Sequence, residues 1–532
     1  MNSQFRGIAA SPKVVGFLVL LGSVLLAYEI GQWVLGQGIK GLGARLAMLV
    51  GIAVVGAILV RWRWGILLFL FWLTLEDLIR KYAGGAMMIY FVKDAMLAVI
   101  YATFFIAVSR GREKLFRPRF WVPLVALFFV ALVQVFNPRS PSVFYGLMGM
   151  EIDFYYVPLL FLGYALIRNR DDLDRFLSFN LKLAIGVALV GIIQGLGWKT
   201  FLNPVNLAPQ FVALGHLVRY APGLRHGLNA PPSVFVSMGR YSNYLELMFT
   251  LTVGVVAYNI FRRRRARLAY LALGVLAIAI FLSGSKSALV YGVLTVAGIG
   301  IGLMWEARNQ PWISARLGKI LRRSVLALAA GLLVFVVLYP NLAGAWWTYY
   351  YEMLSPSSAN YQLGKRTGSY PLDQFEDATE NVGWEWGYGT GTASLGEEYV
   401  SRLLKVGQPQ TGSVENGFGD ILTEWGIPGL AMWTLLAIAV VVVCWDMTKR
   451  IRNTPLYPLG LSVLWFTFWV LLPFTWAGEQ TYQDYIVNAY LWLLVGVLCR
   501  LPELIAPARA VIGPSIEAIG RPAEPLRVGR AG

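Results

Sequence analysis

The chain has 532 residues, 57% hydrophobic and only 14% charged, with two cysteines and a net charge of +17. Cys444 and Cys499 both fall near the ends of apolar runs, which excludes a disulfide framework and a thiol metal site. Nucleic-acid binding is excluded as well, because the basic residues gather in alternate loops instead of covering one surface.

Apolar runs recur at roughly 14–34, 45–60, 64–79, 88–108, 120–136, 153–167, 177–196, 243–260, 268–283, 287–304, 324–339, 428–446, 459–475 and 484–499. Each is long enough to cross hydrocarbon as a helix. The expected fold is all-α, a polytopic membrane protein with about 14 transmembrane helices and a large periplasmic loop before the last three spans. The first run follows a basic stretch but is long and lacks a small-residue cleavage signature. It reads as a retained helix and not as a signal peptide.

Basic residues cluster at Arg110–Arg119, Arg168–Arg175, Arg262–Arg267, Arg308–Arg323 and Lys449–Arg452. With both termini and the Arg61/Arg63 turn, this set holds 30 of the 46 Lys and Arg. The positive-inside rule then places both termini in the cytoplasm, as an even number of spans allows. Anionic membrane lipids are the natural neighbours of that side. Residues 1–339 would hold helices 1–11, with a periplasmic loop at about 197–241. A large periplasmic loop at 340–427, helices 12–14 at 428–500 and a flexible cytoplasmic tail at 501–532 complete the layout.

Loops of that length usually carry structure or function of their own. The larger one has eleven acidic residues, from Glu352 to Glu424, against Lys365, Arg366, Arg402 and Lys405. It also holds "NVGWEWGYGTGTAS" at 381–394. Aromatic faces beside carboxylates suit sugar rings, and an acidic solvated cap with interfacial aromatics suits the same residues equally. The glycines are not a nucleotide loop, since no clear strand precedes them and the P-loop lysine is absent. Turn formation and tight packing explain them better.

Several charges stand where they are costly. Lys93 and Asp94 lie inside "MIYFVKDAMLAVIY"; neighbours on a helix point about 100° apart and need not pair with each other. A functional and a structural reading are both open for this pair, and Glu29 gives a weaker signal of the same kind. On the outer side, cations are disfavoured, yet Arg240 stands in "VSMGRYSNYLEL", Lys286 in "FLSGSKSALV" and Arg366 in "YQLGKRTGSY". Ser283, Gly284 and Ser285 place Lys286 beside hydroxyls and a helix N-terminus, a combination that suits an anion. A snorkelling interfacial lysine is the alternative. Further along, "ENGFGDILTEWGIPGL" collects Glu415, Asn416, Asp420 and Glu424 before an apolar run. Glu415 and Asn416 could cap a short helix, Asp420 and Glu424 share one of its faces, and Pro428 can separate it from the membrane helix that follows.

Taken in order, these segments resemble the O-antigen ligase/polymerase superfamily of bacterial envelope glycosyltransferases. "SGSKSALV" is similar to the family's Ser-Arg-Gly-like motif with Lys286 at the arginine position, followed by a large loop with an early arginine, here Arg366, and a Gly-x-Gly segment, here "GYGTG". "ENGFGDILTEWGIPGL" resembles its His-Asn … Glu-x-Gly-Ile-Pro-Gly ending, from Asn416 to Gly429. The likeness covers about 220 to 445. Family ligases carry a histidine where this chain has Glu415, and polymerases often have an acidic residue there. Lysine at 286 keeps the charge but loses the bidentate fork.

The resemblance implies a polymerase of the bacterial inner membrane, making O-antigen or exopolysaccharide. Its donor would be an undecaprenyl-pyrophosphate-linked glycan, attacked at the anomeric carbon; the transfer is expected to invert and, because no His/Asp/Glu cluster in the sequence demands a metal, to need no metal or cofactor. It further implies that Arg240, Lys286 and Arg366, with Arg225 in reserve, stabilise the pyrophosphate. Glu415 would be the base and Asn416 would orient it, with Glu424, Lys93 and Asp94 in support. A chain-length regulator and a flippase are the implied partners. A ligase and a lipid-linked oligosaccharide flippase or other transporter are the alternatives. No internal repeat favours a transporter.

Overall fold

The structure is a computed structural model. It describes residues 51–204 (except 52 and 86), 218–219, 227–308 (except 265), 336–358, 368–394 (except 381), 416–477 and 481–505, with 318, 333, 364 and 400–401 between them.

Among these residues the chain is helical. In order run α1 Trp62–Tyr82, α2 Met87–Tyr90, α3 Val92–Ser109, α4 Trp121–Gln134, α5 Val143–Phe154, α6 Leu159–Leu166 and α7 Arg170–Gly195. After an antiparallel pair, β1 Val218–Arg219 and β2 Leu228–Asn229, come α8 Met238–Phe261, α9 Arg267–Leu282, α10 Lys286–Ala307, α11 Pro340–Leu354 and α12 Tyr370–Thr379. The last helices described are α13 Gly417–Arg450, α14 Tyr457–Trp469 and α15 Tyr485–Arg500, followed by a 3-10 turn at Leu501–Leu504.

Among the described residues, seven helical segments are long and apolar enough to cross a membrane: Val92–Ser109, Arg170–Gly195, Met238–Phe261, Lys286–Glu306, Gly417–Arg450, Tyr457–Phe474 and Tyr485–Leu504. This is a helical membrane protein. The expected spans depart from that set in physically readable ways. The run at 64–79 forms α1, whose charged last turns hold Glu76, Asp77, Arg80 and Lys81. The runs at 120–136 and 268–283 form apolar helices of 14 and 16 residues. The run at 153–167 is not one helix: α5 ends at Phe154 and α6 begins after Pro158, where the proline has no N–H to continue the ladder. The run at 14–34 and most of 324–339 lie outside the described residues, as do 45–50.

Two helices form the centre. In α8 and α15, 89% of the apolar window is buried, against 28% in α3 and 33% in α10. The outer helices turn bulky apolar side chains outward, such as Phe129 on α4 and Ile301 on α10, as lipid contact permits. Close approach at the centre depends on glycine. A side chain at Gly163 of α6 would overlap the Leu493 carbonyl of α15, and one at Gly496 would overlap the Leu160 carbonyl. With backbones in contact, dispersion and packing hold the pair together where lipid removes the hydrophobic driving force.

Candidate functional site

The two ends of the bundle differ in their polar chemistry. At one end meet the first turn of α1 and the last turns of α6, α8, α10, α13 and α15. There the pairs include Arg63 with Glu113 at 2.6 Å, Arg262 with Asp174 at 2.6 Å and Arg452 with Glu306 at 3.0 Å. These are the basic loops of the sequence. The opposite end gathers the last turns of α1 and α5 and the first turns of α3, α8, α10, α13 and α15. Its charges are largely buried.

Glu76, Asp77, Arg80 and Lys81 are all buried in the last turns of α1. Asp77 accepts from Arg240 Nη1 at 2.8 Å and from the Val236 N–H at 3.1 Å. Arg240, in the first turn of α8, also donates from Nε to Asp484 at 3.3 Å. Asp484 in turn caps α15 by accepting from the N–H groups of Ile486 and Val487. Nearby, Lys93 Nζ donates to Asp94 at 2.7 Å and to Glu151 of α5 at 3.2 Å. The Tyr485 ring joins the two halves, 4.5 Å from the Arg240 guanidinium carbon and 5.7 Å from Lys93 Nζ. Lys93 and Asp94 do therefore pair. They lie in the first turn of α3, and the long lysine stem bends back over its neighbour. Arg240 is bound to two carboxylates, which makes it an anchor between α1, α8 and α15.

The second cluster surrounds Lys286. The α9–α10 connection turns at Gly284, whose φ is +69°, and Ser285 caps α10 by accepting from the Ala288 N–H. Ser242 of α8 donates to Ser285 Oγ at 2.6 Å, and Ser285 and Ser287 hydroxyls meet at 3.0 Å. Helix α11 lies over this turn: Tyr349 donates to the Gly284 carbonyl at 3.0 Å and Tyr350 to that of Phe281 at 2.7 Å. Burial pushes both phenols up, so they remain neutral donors. Lys286 is half-buried, its Nζ 3.9 Å from Met353 Sδ. Arg219 of β1 lies against Gly284 with its Nε buried and lacking a hydrogen-bond partner. Two cations, a helix N-terminus and three hydroxyls thus gather around one turn of the fold, an arrangement suited to a phosphate-bearing ligand.

The third cluster is built by α13. Asn416 is fully buried and caps α13 by accepting from Phe418 N–H at 2.8 Å and Gly419 N–H at 3.4 Å, while its Nδ2 donates to Pro371 O at 2.9 Å. The helix breaks at Gly426, with φ 66° and ψ −163°, and Pro428 falls in the first turn of the membrane half. The glycine-aromatic loop docks on this break. Tyr388 and Gly389 N–H groups donate to the Thr423 and Glu424 carbonyls at 2.8 and 3.0 Å. Gln134 and Asn137, at the end of α4, donate to Trp386 O at 2.6 Å and Gly387 O at 3.1 Å. Thr390 bridges by donating to Ala131 O at 2.7 Å and accepting from Trp425 Nε1 at 3.0 Å. Tight packing is therefore what the glycines permit, while Glu385 and Trp386 face outward. Glu424 accepts from the Ala393 N–H at 3.2 Å, and Asp153 of α5 and Asp420 lie within electrostatic range of it.

Of the residues expected to act, Arg240, Lys286, Lys93, Asp94, Asn416 and Glu424 all lie at this end. Glu415, Arg366 and Arg225 fall outside the described residues, as does Glu29. Sequence reasoning passed over Arg219, Glu76, Asp77, Asp153 and Asp484. The Glu-Asp pair inside "WLTLEDLIRKY" carried the same signal as Lys93 and Asp94, charge within an apolar run. Arg219 carried only the weaker signal of a cation in the outer loop at about 197–241, and only the tertiary structure brings it to Gly284. Among the described residues no group of three or more His, Cys, Asp or Glu is arranged to hold a metal ion. No family model matches the chain, and no curated protein matches it at a significant level.

Proposed function

We propose that this protein is a membrane glycosyltransferase that joins polyprenyl-pyrophosphate-linked oligosaccharide units into a surface polysaccharide. The reaction would take place at the periplasmic face of the bacterial inner membrane. The observation that carries the reading is the turn into α10, where Lys286 stands in the first helical turn among serine hydroxyls and Arg219 lies against Gly284. A pyrophosphate leaving group gains negative charge as the glycosidic bond breaks. Fixed cations, hydroxyls and a helix dipole in a water-poor site stabilise that charge without reorganising.

In the proposed step an acceptor hydroxyl oxygen attacks the anomeric carbon and the C–O bond to pyrophosphate breaks with inversion. The hydroxyl proton passes to Glu415. Asn416, its neighbour in the chain, caps α13 and is tied to the Pro371 carbonyl. The pyrophosphate leaves as a good anion and needs no general acid. Arg240 contributes by fixing the α8 N-terminus, from which Ser242 reaches Ser285.

The test supplies purified protein in lipid nanodiscs with polyprenyl-pyrophosphate-linked repeat units and no nucleotide. Longer lipid-linked chains are expected. Transfer to a non-polyprenyl acceptor would assign a ligase instead, and binding without any covalent product would assign a transporter.

A further inference from the structure

We propose that Glu76 is a proton-binding site, its carboxyl group held protonated within an ion-pair network whose cations are already engaged. Nothing in it depends on the glycan-transfer reading.

Glu76 is fully buried, and neither of its carboxyl oxygens has a hydrogen-bond partner. The groups facing it come from every neighbouring element. They are Asp77 on α1, Lys93 and Asp94 on α3 and Arg240 on α8, with Tyr90 on α2, Tyr156 before α6 and Tyr485 on α15. Only two of these are cations. Lys93 is bonded to Asp94 and Glu151, and Arg240 to Asp77 and Asp484. Each already serves two carboxylates, so an ionised Glu76 would be a fifth carboxylate around two cations. Arg80, one turn further along α1, lies over the Tyr90 ring at 5.8 Å, and Lys81 faces Asp77.

An uncompensated buried charge is among the costliest features a fold can hold. A proton on Glu76 removes it. The same proton turns Glu76 into a donor among carboxylate oxygens, since Asp77 Oδ1, Asp94 Oδ2 and Glu151 Oε2 are also without partners. Exchange with the outside would pass by Asp94 and Glu151, whose side chains keep 16% and 21% exposure while that of Lys93 keeps none. Ionising Glu76 would draw Lys93 or Arg240 away from its present carboxylates, so the packing of α1 against α3 and α8 becomes responsive to protons.

The test is infrared difference spectroscopy of the whole protein in lipid nanodiscs, following the C=O stretch of protonated carboxylic acids, together with thermal unfolding. Glu76→Gln should lose one such band and keep the wild-type melting temperature, because a neutral amide replaces a neutral acid. Raising the pH should remove the same band from the wild type and leave the variant's spectrum unchanged there. An unchanged spectrum in Glu76→Gln would overturn the proposal. So would loss of the band in Glu151→Gln alone, which would put the proton on the Asp94–Glu151 pair. A Glu76→Gln chain that melts lower or fails to fold would show that the ionised form is required, and would overturn it equally.

Discussion

Arg240 and Asp77 stand 163 positions apart in the chain and meet at 2.8 Å, Nη1 to Oδ2, with the Asp77 side chain wholly buried. The pair closes α1 onto α8, and Asp484 extends it to α15. Arg240→Ala leaves two carboxylates without their cation inside the bundle. It should destabilise the protein by about 3–5 kcal/mol, read as a lower melting temperature in detergent, and Arg240→Ala/Asp77→Asn should recover part of that loss. Wild-type stability with a specific loss of turnover would instead give Arg240 to the substrate.

Lys286 and Arg219 should separate cleanly from Arg240 in such an assay. Removing a fixed cation from a developing pyrophosphate should lower turnover by roughly 10²-fold while the melting temperature holds. Lys286→Arg should retain most activity, because it restores charge and adds a planar fork. Equal losses in activity and stability for Lys286→Ala would assign it to packing against Met353 alone.

Gly426 is the position at which α13 breaks, and its φ of 66° is the left-handed region that a side chain resists. A Cβ there would also overlap the Glu385 carbonyl of the docked loop. Gly426→Ala should cost on the order of 1–3 kcal/mol and release the loop locally. Faster hydrogen exchange at 382–394 and 417–425, with the rest of α13 still protected, is the expected signature. Uniform exchange rates would show that the loop does not depend on the break.

Asn416 and Glu415 are adjacent and should fail differently. Asn416→Ala removes an N-cap, worth roughly 0.5–2 kcal/mol, together with the tie to Pro371, so stability and turnover should fall together. Glu415→Gln should keep the fold and slow turnover by about 10²–10⁴-fold, the range for a lost general base. Wild-type turnover in Glu415→Gln would falsify the assignment of the base.

Periodicity and charge placement made much of this molecule legible before any coordinates. The apolar runs announce helices that cross a membrane because lipid forces backbone groups to pair within their own segment. The alternation of basic loops is matched by the two ends of the bundle, where Arg63, Arg262 and Arg452 pair at one end and the buried charges gather at the other. The serine-rich turn at Lys286 and the break before Pro428 were also readable, since hydroxyls, glycine and proline act within a few residues of themselves. The number of spans was less secure, because hydropathy does not see that Pro158 interrupts a run or that α1 carries four charges into buried company.

Partnership over long separations belonged to the tertiary structure alone. Composition marks Arg240 as an unexpected outer cation, but only packing shows it bound to Asp77 and Asp484. The glycines of "GYGTG" signal a turn, yet only the fold shows that turn seated on Thr423, Glu424 and the end of α4. Arg219 reached Gly284, and Glu76 ended among carboxylates, through contacts between elements far apart in sequence. Local chemistry fixes what a segment can become; which charges neutralise one another depends on which helices meet, because electrostatic energy follows distance in space and not along the chain.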